Sequence, residues 1–278
     1  MPAVLGTNVA SLWASKNLQS AQSNMADSVE RLSSGLRINR AKDDAAGLGI
    51  ANALTQQING ANQGIKNLND GISIVQTAEG AIAAASEMAQ RILTLATQGL
   101  NGSMGDDQRT SIKNEMTALV NSISSIQTRT KFSGVTLLNG AAITIQASNV
   151  SGDTISIDVT SLAKIGTSAS GELAYTLHGA MGTTTTSMTS TLAAVNTYIT
   201  ALDTQRAKLG AFQNQMEYAV SNVTEMASNL SSARSRVIDT DYASETASLT
   251  KGQILQQAAT AMLAQANQMP NVILTLLK

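Results

Sequence analysis

The chain contains no cysteine, and that absence excludes disulfides and thiolate metal sites outright. If the protein works outside the cytoplasm, packing or assembly must hold it together. Aromatic residues are 3% of the sequence, so Ala, Leu, Ile and Met stand in for bulky anchors. Charged residues are 13%, about half the usual share of roughly 25%. At a net charge of −1, the chain has no long-range attraction for nucleic acid or an acidic membrane surface. The first residues, MPAVLGTNVASLWASK, lack a basic stretch followed by an apolar one and do not read as a standard secretory signal.

Chemistry is equally sparse. The single histidine, His178, lies in a loop-rich region without a nearby acidic cluster and reads as a surface side chain. Asp106 and Asp107 are adjacent at the start of a helical run, where they read as capping residues rather than a metal pair. No GxGxxG or GxxxxGK[ST] phosphate loop is present. Arg31, Arg37 and Arg40 are too few, and too balanced by acids, for nucleic-acid binding. No catalytic, cofactor-binding or metal-binding residue is assigned, and the chain is not expected to be an enzyme.

What the chain does have is helical periodicity with little charge. Residues 252–277 carry no ionisable side chain. Ile254 or Leu255, Ala258, Met262, Ala266 and Met269 recur at the spacing of one helix face. The other face holds Gln253, Gln256, Gln257, Gln265, Asn267 and Gln268. In a membrane each of those amides would need a partner, so no span is expected; burial among other protein helices suits the composition. Residues 3–25 carry one charge, Lys16, and Leu18, Ala21, Met25, Val29, Leu32 and Leu36 form a similar stripe. The two ends are expected to pair with each other.

Between them the pattern is nearly palindromic. Residues 31–47, RLSSGLRINRAKDDAAG, break the helical signal with Gly35 and Asn39 and read as a charged hinge before a new helix start. Then Ala51, Leu54, Ile58, Ala61, Ile65, Leu68, Ile72, Val75, Ile82, Ala89, Leu93, Ala96 and Leu100 keep a heptad phase broken at Glu79 and Ser86. A pattern so sustained predicts a coiled-coil-like rod of roughly 75 Å. After a break at 101–105, Ile112, Met116, Leu119, Ile123 and Ile126 predict an antiparallel return helix, which residues 131–140 end.

The period then becomes two: Ile143 and Ile145, a turn at Ser151, Gly152 and Asp153, then Ile155, Ile157 and Val159, which predicts a β-hairpin. Residues 166–190 are rich in Gly, Ser and Thr and read as an exposed loop region. Helical period resumes at Met188, Leu192, Val195, Ile199, Leu202 and Leu209, with an expected phase slip near Gly210, and continues through Phe212, Met216, Ala219, Val223, Met226, Leu230, Ala233 and Val237. Arg234, Arg236, Asp239, Asp241 and Glu245 form a second charged hinge.

The segments 31–47, 69–81 (NDGISIVQTAEGA), 132–138 (FSGVTLL), 229–245 (NLSSARSRVIDTDYASE) and 253–278 (QILQQAATAMLAQANQMPNVILTLLK) are long and specific. By them the chain resembles bacterial flagellin, in a short type without large outer domains. The resemblance implies a mainly α fold, a long coiled-coil-like helical bundle of paired N- and C-terminal segments with a small β-hairpin region mid-chain. Residues 1–40 and 236–278 would form the inner core and spoke, 41–140 and 188–235 an outer helical rod, and 141–187 a variable β-hairpin region.

Function follows the resemblance: a subunit exported unfolded through the flagellar type III apparatus, polymerising into the extracellular filament for swimming. The alternative is a hook–filament junction protein or a flagellin-like cell-surface adhesin. Implied partners are further copies of the chain, filament cap and hook-junction proteins, an export chaperone on the C-terminal helix, and a vertebrate Toll-like receptor. The receptor surface carried over comprises Gln90, Arg91, Leu95 and Glu115. The polymerisation core is expected at Leu12, Trp13, Leu18, Met25, Leu255, Met262, Met269, Leu274 and Leu277. The hinge is expected at Arg31, Arg37, Arg40, Asp43, Arg234, Arg236 and Asp239. Isolated terminal helices would be marginal in water, so the ends are expected to order only on assembly.

Overall fold

A computed structural model describes residues 8–157 and 180–276, with side chains to 268 at the C-terminal end. His178, Val159 and Leu277, and the side chains of Met269 and Leu274, lie outside the described residues. The described residues form helices α1 (Val9–Ser34), α2 (Ala45–Gly99), α3 (Asp106–Arg129), α4 (Thr185–Ile238) and α5 (Tyr242–Leu276). Four short strands follow α3: β1 (Lys131–Phe132), β2 (Val135–Thr136), β3 (Ile143–Gln146) and β4 (Thr154–Ile157). The chain divides into two compact units, one from both ends (Met1–Gln56 with Asn229–Lys278), the other Gln57–Ser228.

In the second unit the heptad prediction holds for one column of α2 and needs correction for the other. Ala61, Leu68, Val75, Ile82, Ala89 and Ala96, each seven residues from the next, are all buried. The second buried column is Gly64, Gly71, Ala78, Ala85, Ile92 and Gly99. Ile58, Ile65, Ile72 and Leu93 flank it half-buried, beside Glu79. Small side chains thus sit where the helix meets its neighbours, and larger ones close the sides. On α4, Met188, Val195, Leu202, Leu209, Met216 and Val223 form an unbroken seven-residue column.

The expected slip at Gly210 is therefore absent. Thr191, Tyr198 and Gln205 complete the seam, and an apolar count passes over two of the three because they are polar. Opposite Gly99 stands the Met188 sulfur, and opposite Gly71 the Met216 sulfur, so α2 and α4 run antiparallel. Ile112, Met116, Val120 and Ile123 of α3 join the same core. Asp106 and Asp107 occupy the first turn of α3, where their charge favours the helix dipole. The cap itself is Gly105, whose N–H donates to Gln108 Oε1 at 2.6 Å.

Strands β3 and β4 pair antiparallel with Ile143 opposite Ile157 and Ile145 opposite Ile155, as the alternation predicts. Ile145 and Ile157 are buried in the unit's core. The chain just beyond β3 lies directly on α2: a Cβ at Gly64 would collide with the Ala147 carbonyl oxygen, and Asn67 Nδ2 donates to the Gln146 carbonyl at 3.1 Å. A smaller hairpin, β1–β2, stands where the sequence reading has only a helix end. Its loop residues Ser133 and Gly134 have φ of 48° and 85°, the paired positive values of a type I′ turn.

Candidate polymerisation surface

The unit built from the chain ends pairs α1 with α5, and the pairing depends on small residues. Ala14, Ala21 and Ser28, seven apart on α1, are buried. So are Gly252, Ala259 and Ala266, seven apart on α5. A Cβ on Gly252 would meet Met25 Cβ and the Ala21 carbonyl at ordinary contact distance, so these positions form a common antiparallel seam. At one end Asn8 Nδ2 donates to the Ala266 carbonyl at 2.7 Å and Ser11 Oγ to Asn267 Oδ1 at 3.0 Å. At the other, Arg31 faces Glu245 at 3.8 Å.

With small residues inside, the large apolar ones stay outside. Leu12 is 66% exposed, Trp13 60%, Ile254 60% and Met262 62%, with Val9 and Leu255 close behind. Leu18 and Met25 are half-buried. Val9, Trp13, Leu255 and Met262 wall a groove of ≈ 870 Å³ whose floor includes Ala10, Ala14, Ala21, Ala258 and Ala259. The Lys16 ammonium stands 5.6 Å from the centre of the Trp13 ring, inside cation–π range.

The energetics are one-sided. A seam of Ala and Gly removes little apolar area from water, and each buried methylene contributes only about 0.8 kcal/mol. Ordering a residue costs about 1–2 kcal/mol of backbone entropy. Covering just the six side chains named above at about 1.5–3 kcal/mol each would contribute on the order of 10 kcal/mol per subunit.

The charged segments form a clamp within this unit. Gly35, in the left-handed region at φ 72°, ends α1 and donates to the Arg31 carbonyl at 2.8 Å. Beyond it, Arg37 N–H donates to the Ile238 carbonyl and its guanidinium to the Val237 carbonyl, both at 2.6 Å. One residue thereby satisfies two of the last carbonyls of α4, which have no intrahelical partner. Thr240 N–H returns the connection to the Gly35 carbonyl at 3.0 Å, and Leu36 bridges Asp239 through the backbone.

The remaining hinge residues lie around this clamp. Arg40 pairs with Glu30 at 2.6 Å. Asp43 accepts the backbone N–H groups of Arg40 and Asn39, and the first of these bonds chiefly holds its carboxyl below the ordinary range. Asp44 accepts from Gly47 N–H at 2.8 Å at the start of α2. Arg234 is half-buried and Arg236 exposed. Ile38, Ala51 and Ile238 close a small apolar core beside the clamp.

The residues carried over as a receptor surface separate in the structure. Gln90 is exposed, and Arg91 reaches Glu115 through two nitrogens at 2.8 and 3.0 Å, both side chains being exposed. Leu95 is different: it is 2% exposed and belongs to the core of its unit. Together with Ile92, Ala96 and Gly99 it faces inward, so the four do not form one exposed patch. Among the described residues no helix is long and apolar enough to cross a membrane, and no group of three or more acidic or histidine side chains is placed to hold a metal ion.

Of the seam residues, Ala21 and Ala266 fall in the stripes read from the sequence, whereas Ala14, Ser28, Gly252 and Ala259, and the capping role of Arg37, were missed. Their signal was the seven-residue repetition of small side chains, which a search for large apolar residues passes over.

Comparison with known proteins agrees with this architecture. The model of the bacterial flagellin N-terminal helical region matches residues 5–142, and that of the C-terminal helical region matches 192–277. A flagellin of Halalkalibacterium halodurans is 36% identical, covering 99% of this chain and all of its own. A flagellin of Bacillus subtilis is also 36% identical, over 98% of each chain. A solved structure assigned provisionally to a flagellar hook-associated protein of Vibrio parahaemolyticus shares the fold. Its TM-score is 0.57 at 14% identity, and it covers 71% of this chain and all of its own. With both terminal regions matched and relatives aligned end to end, the chain belongs to the bacterial flagellin family.

Proposed function

We propose that this flagellin, an extracellular filament subunit, polymerises by burying the α1–α5 face of one copy against those of its neighbours. The observation that carries the reading is the inversion of the pair: Ala and Gly inside, Leu12, Trp13, Ile254, Leu255 and Met262 outside. Contacts repeated between unlike faces do not close on themselves, and they generate open helical polymers. Residues 1–40 and 236–278 then act as inner core and spoke, 41–140 and 188–235 as the outer rod, and 141–187 as the variable region. Before assembly the ends are unordered, since the seam offsets too little of their entropy. That state suits export in an unfolded form through the flagellar type III apparatus, with a chaperone on the C-terminal helix until release beneath the cap.

Hook-junction proteins and a Toll-like receptor are further proposed partners. The receptor would contact Gln90, Arg91 and Glu115, with Leu95 supporting the helix from beneath. Electron microscopy of purified protein induced to assemble tests the central part. Long filaments of uniform width are expected; short oligomers that never elongate would favour a junction protein instead.

A further inference from the structure

Two methionines are exposed among the described residues, Met262 at 62% and Met226 at 39%. Met116, Met188 and Met216 are fully buried, and Met181 nearly so. Only one of the exposed pair lines the apolar groove: Met262 stands with Trp13 and Leu255 on its walls. Met226 lies on α4, in the other unit. The seam of α5 is carried by Ala259 and Ala266, so a change at the Met262 sulfur does not enter the contact between α1 and α5.

We infer that Met262 is an oxidation site that gates polymerisation, reactive in the free subunit and shielded in the polymer. The inference rests on the proposed α1–α5 assembly face. In the step, the thioether sulfur attacks one oxygen of a hydroperoxide. An S–O bond forms as the O–O bond breaks, sulfur is oxidised by two electrons, and hydrogen peroxide leaves as water. The product is methionine sulfoxide, polar and chiral where the thioether was apolar and flexible. Its S–O group stands in a largely apolar groove, where Val9, Trp13 and Leu255 are joined by Asn17, Ser20 and Asn24, and moving that strongly hydrated dipole from water into a covered interface weakens the contact. The free chain therefore adds to the filament less readily once oxidised, while chains already incorporated keep their sulfur covered.

The test treats dilute subunit and preformed polymer with hydrogen peroxide, quenches with catalase, and maps sulfoxide by fragmentation of the 252–278 peptide. Critical concentration is then measured by sedimentation. Expected are sulfoxide at Met262 in the subunit, several-fold less in the polymer, and about a tenfold rise in critical concentration for oxidised subunit. Methionine sulfoxide reductase should reverse the rise. Met262→Leu should polymerise normally before peroxide and lose most of the rise after it, while Met25→Leu, Met269→Leu and Met226→Leu should remain as sensitive as the parent. Complete oxidation at Met262 with an unchanged critical concentration would overturn the inference. So would a Met262→Leu variant that loses assembly on treatment as the parent does. Failure of the untreated protein to polymerise would overturn the assembly reading, and this inference with it.

Discussion

Removing residues 253–278 is expected to abolish filament formation while leaving the unit Gln57–Ser228 folded. The deletion takes away Ile254, Leu255 and Met262, three of the eight large apolar side chains exposed on α1 and α5 among the described residues. At about 1.5–3 kcal/mol for each side chain covered, the loss corresponds to at least about a thousandfold rise in critical concentration. It also removes Ala259 and Ala266, so Ala14 and Ala21 of α1 lose their seam partners. None of the buried columns on α2 and α4 within Gln57–Ser228 is touched. Sedimentation and electron microscopy would report the first half, and cooperative thermal unfolding by circular dichroism the second. Filaments formed by the truncated chain would contradict the assignment of this face.

The second large effect is a contrast between two glycines of one helix. Gly64→Ala is expected to destabilise the second unit by about 1–3 kcal/mol, the usual range for an overpacked contact. The new methyl would strike the Ala147 carbonyl, which is backbone and cannot rotate away. Gly80→Ala is expected to stabilise by about 1 kcal/mol, the helix-propensity gain of Ala over Gly. Nothing stands within 4 Å of a Cβ built there. For a unit of this size each kcal/mol moves the midpoint by about 2–4 °C, so the two variants should melt on opposite sides of the parent. Equal shifts in the same direction would show that the 147–149 segment does not rest on α2.

The contrast also explains what was legible in the sequence. Large aliphatic residues at helical or alternating spacing announced themselves: the column from Ala61 to Ala96, and the Ile143–Ile157 hairpin, lie where periodicity put them. Close contacts were harder to read, because helices and strands approach most closely where side chains are smallest. Gly64, Gly71 and Gly99 on α2, and Ala14, Gly252 and Ala259 at the chain ends, add little to any apolar count. Polar seam residues misled in the same way: with Thr191 and Gln205 passed over, a continuous column on α4 looked interrupted at Gly210. Leu95 misled in the opposite sense. A family pattern carried it to a surface, whereas its place beside Ile92 and Ala96 sends it into the core. The exterior of the α1–α5 pair was half legible: the stripe was visible, but that it faces outward required knowing which residues fill the seam.

The central claim is that the apolar face of the paired chain ends is covered by other copies of the chain. Trp13 is the only tryptophan, and it sits on the wall of the groove at 60% exposure. Its fluorescence therefore reports that face alone. Emission recorded across the assembly transition should begin at the long wavelength of water-exposed indole and shift to the blue in step with filament mass, with loss of quenching by acrylamide. Filaments whose Trp13 emission and quenching match those of dilute subunit would contradict the account.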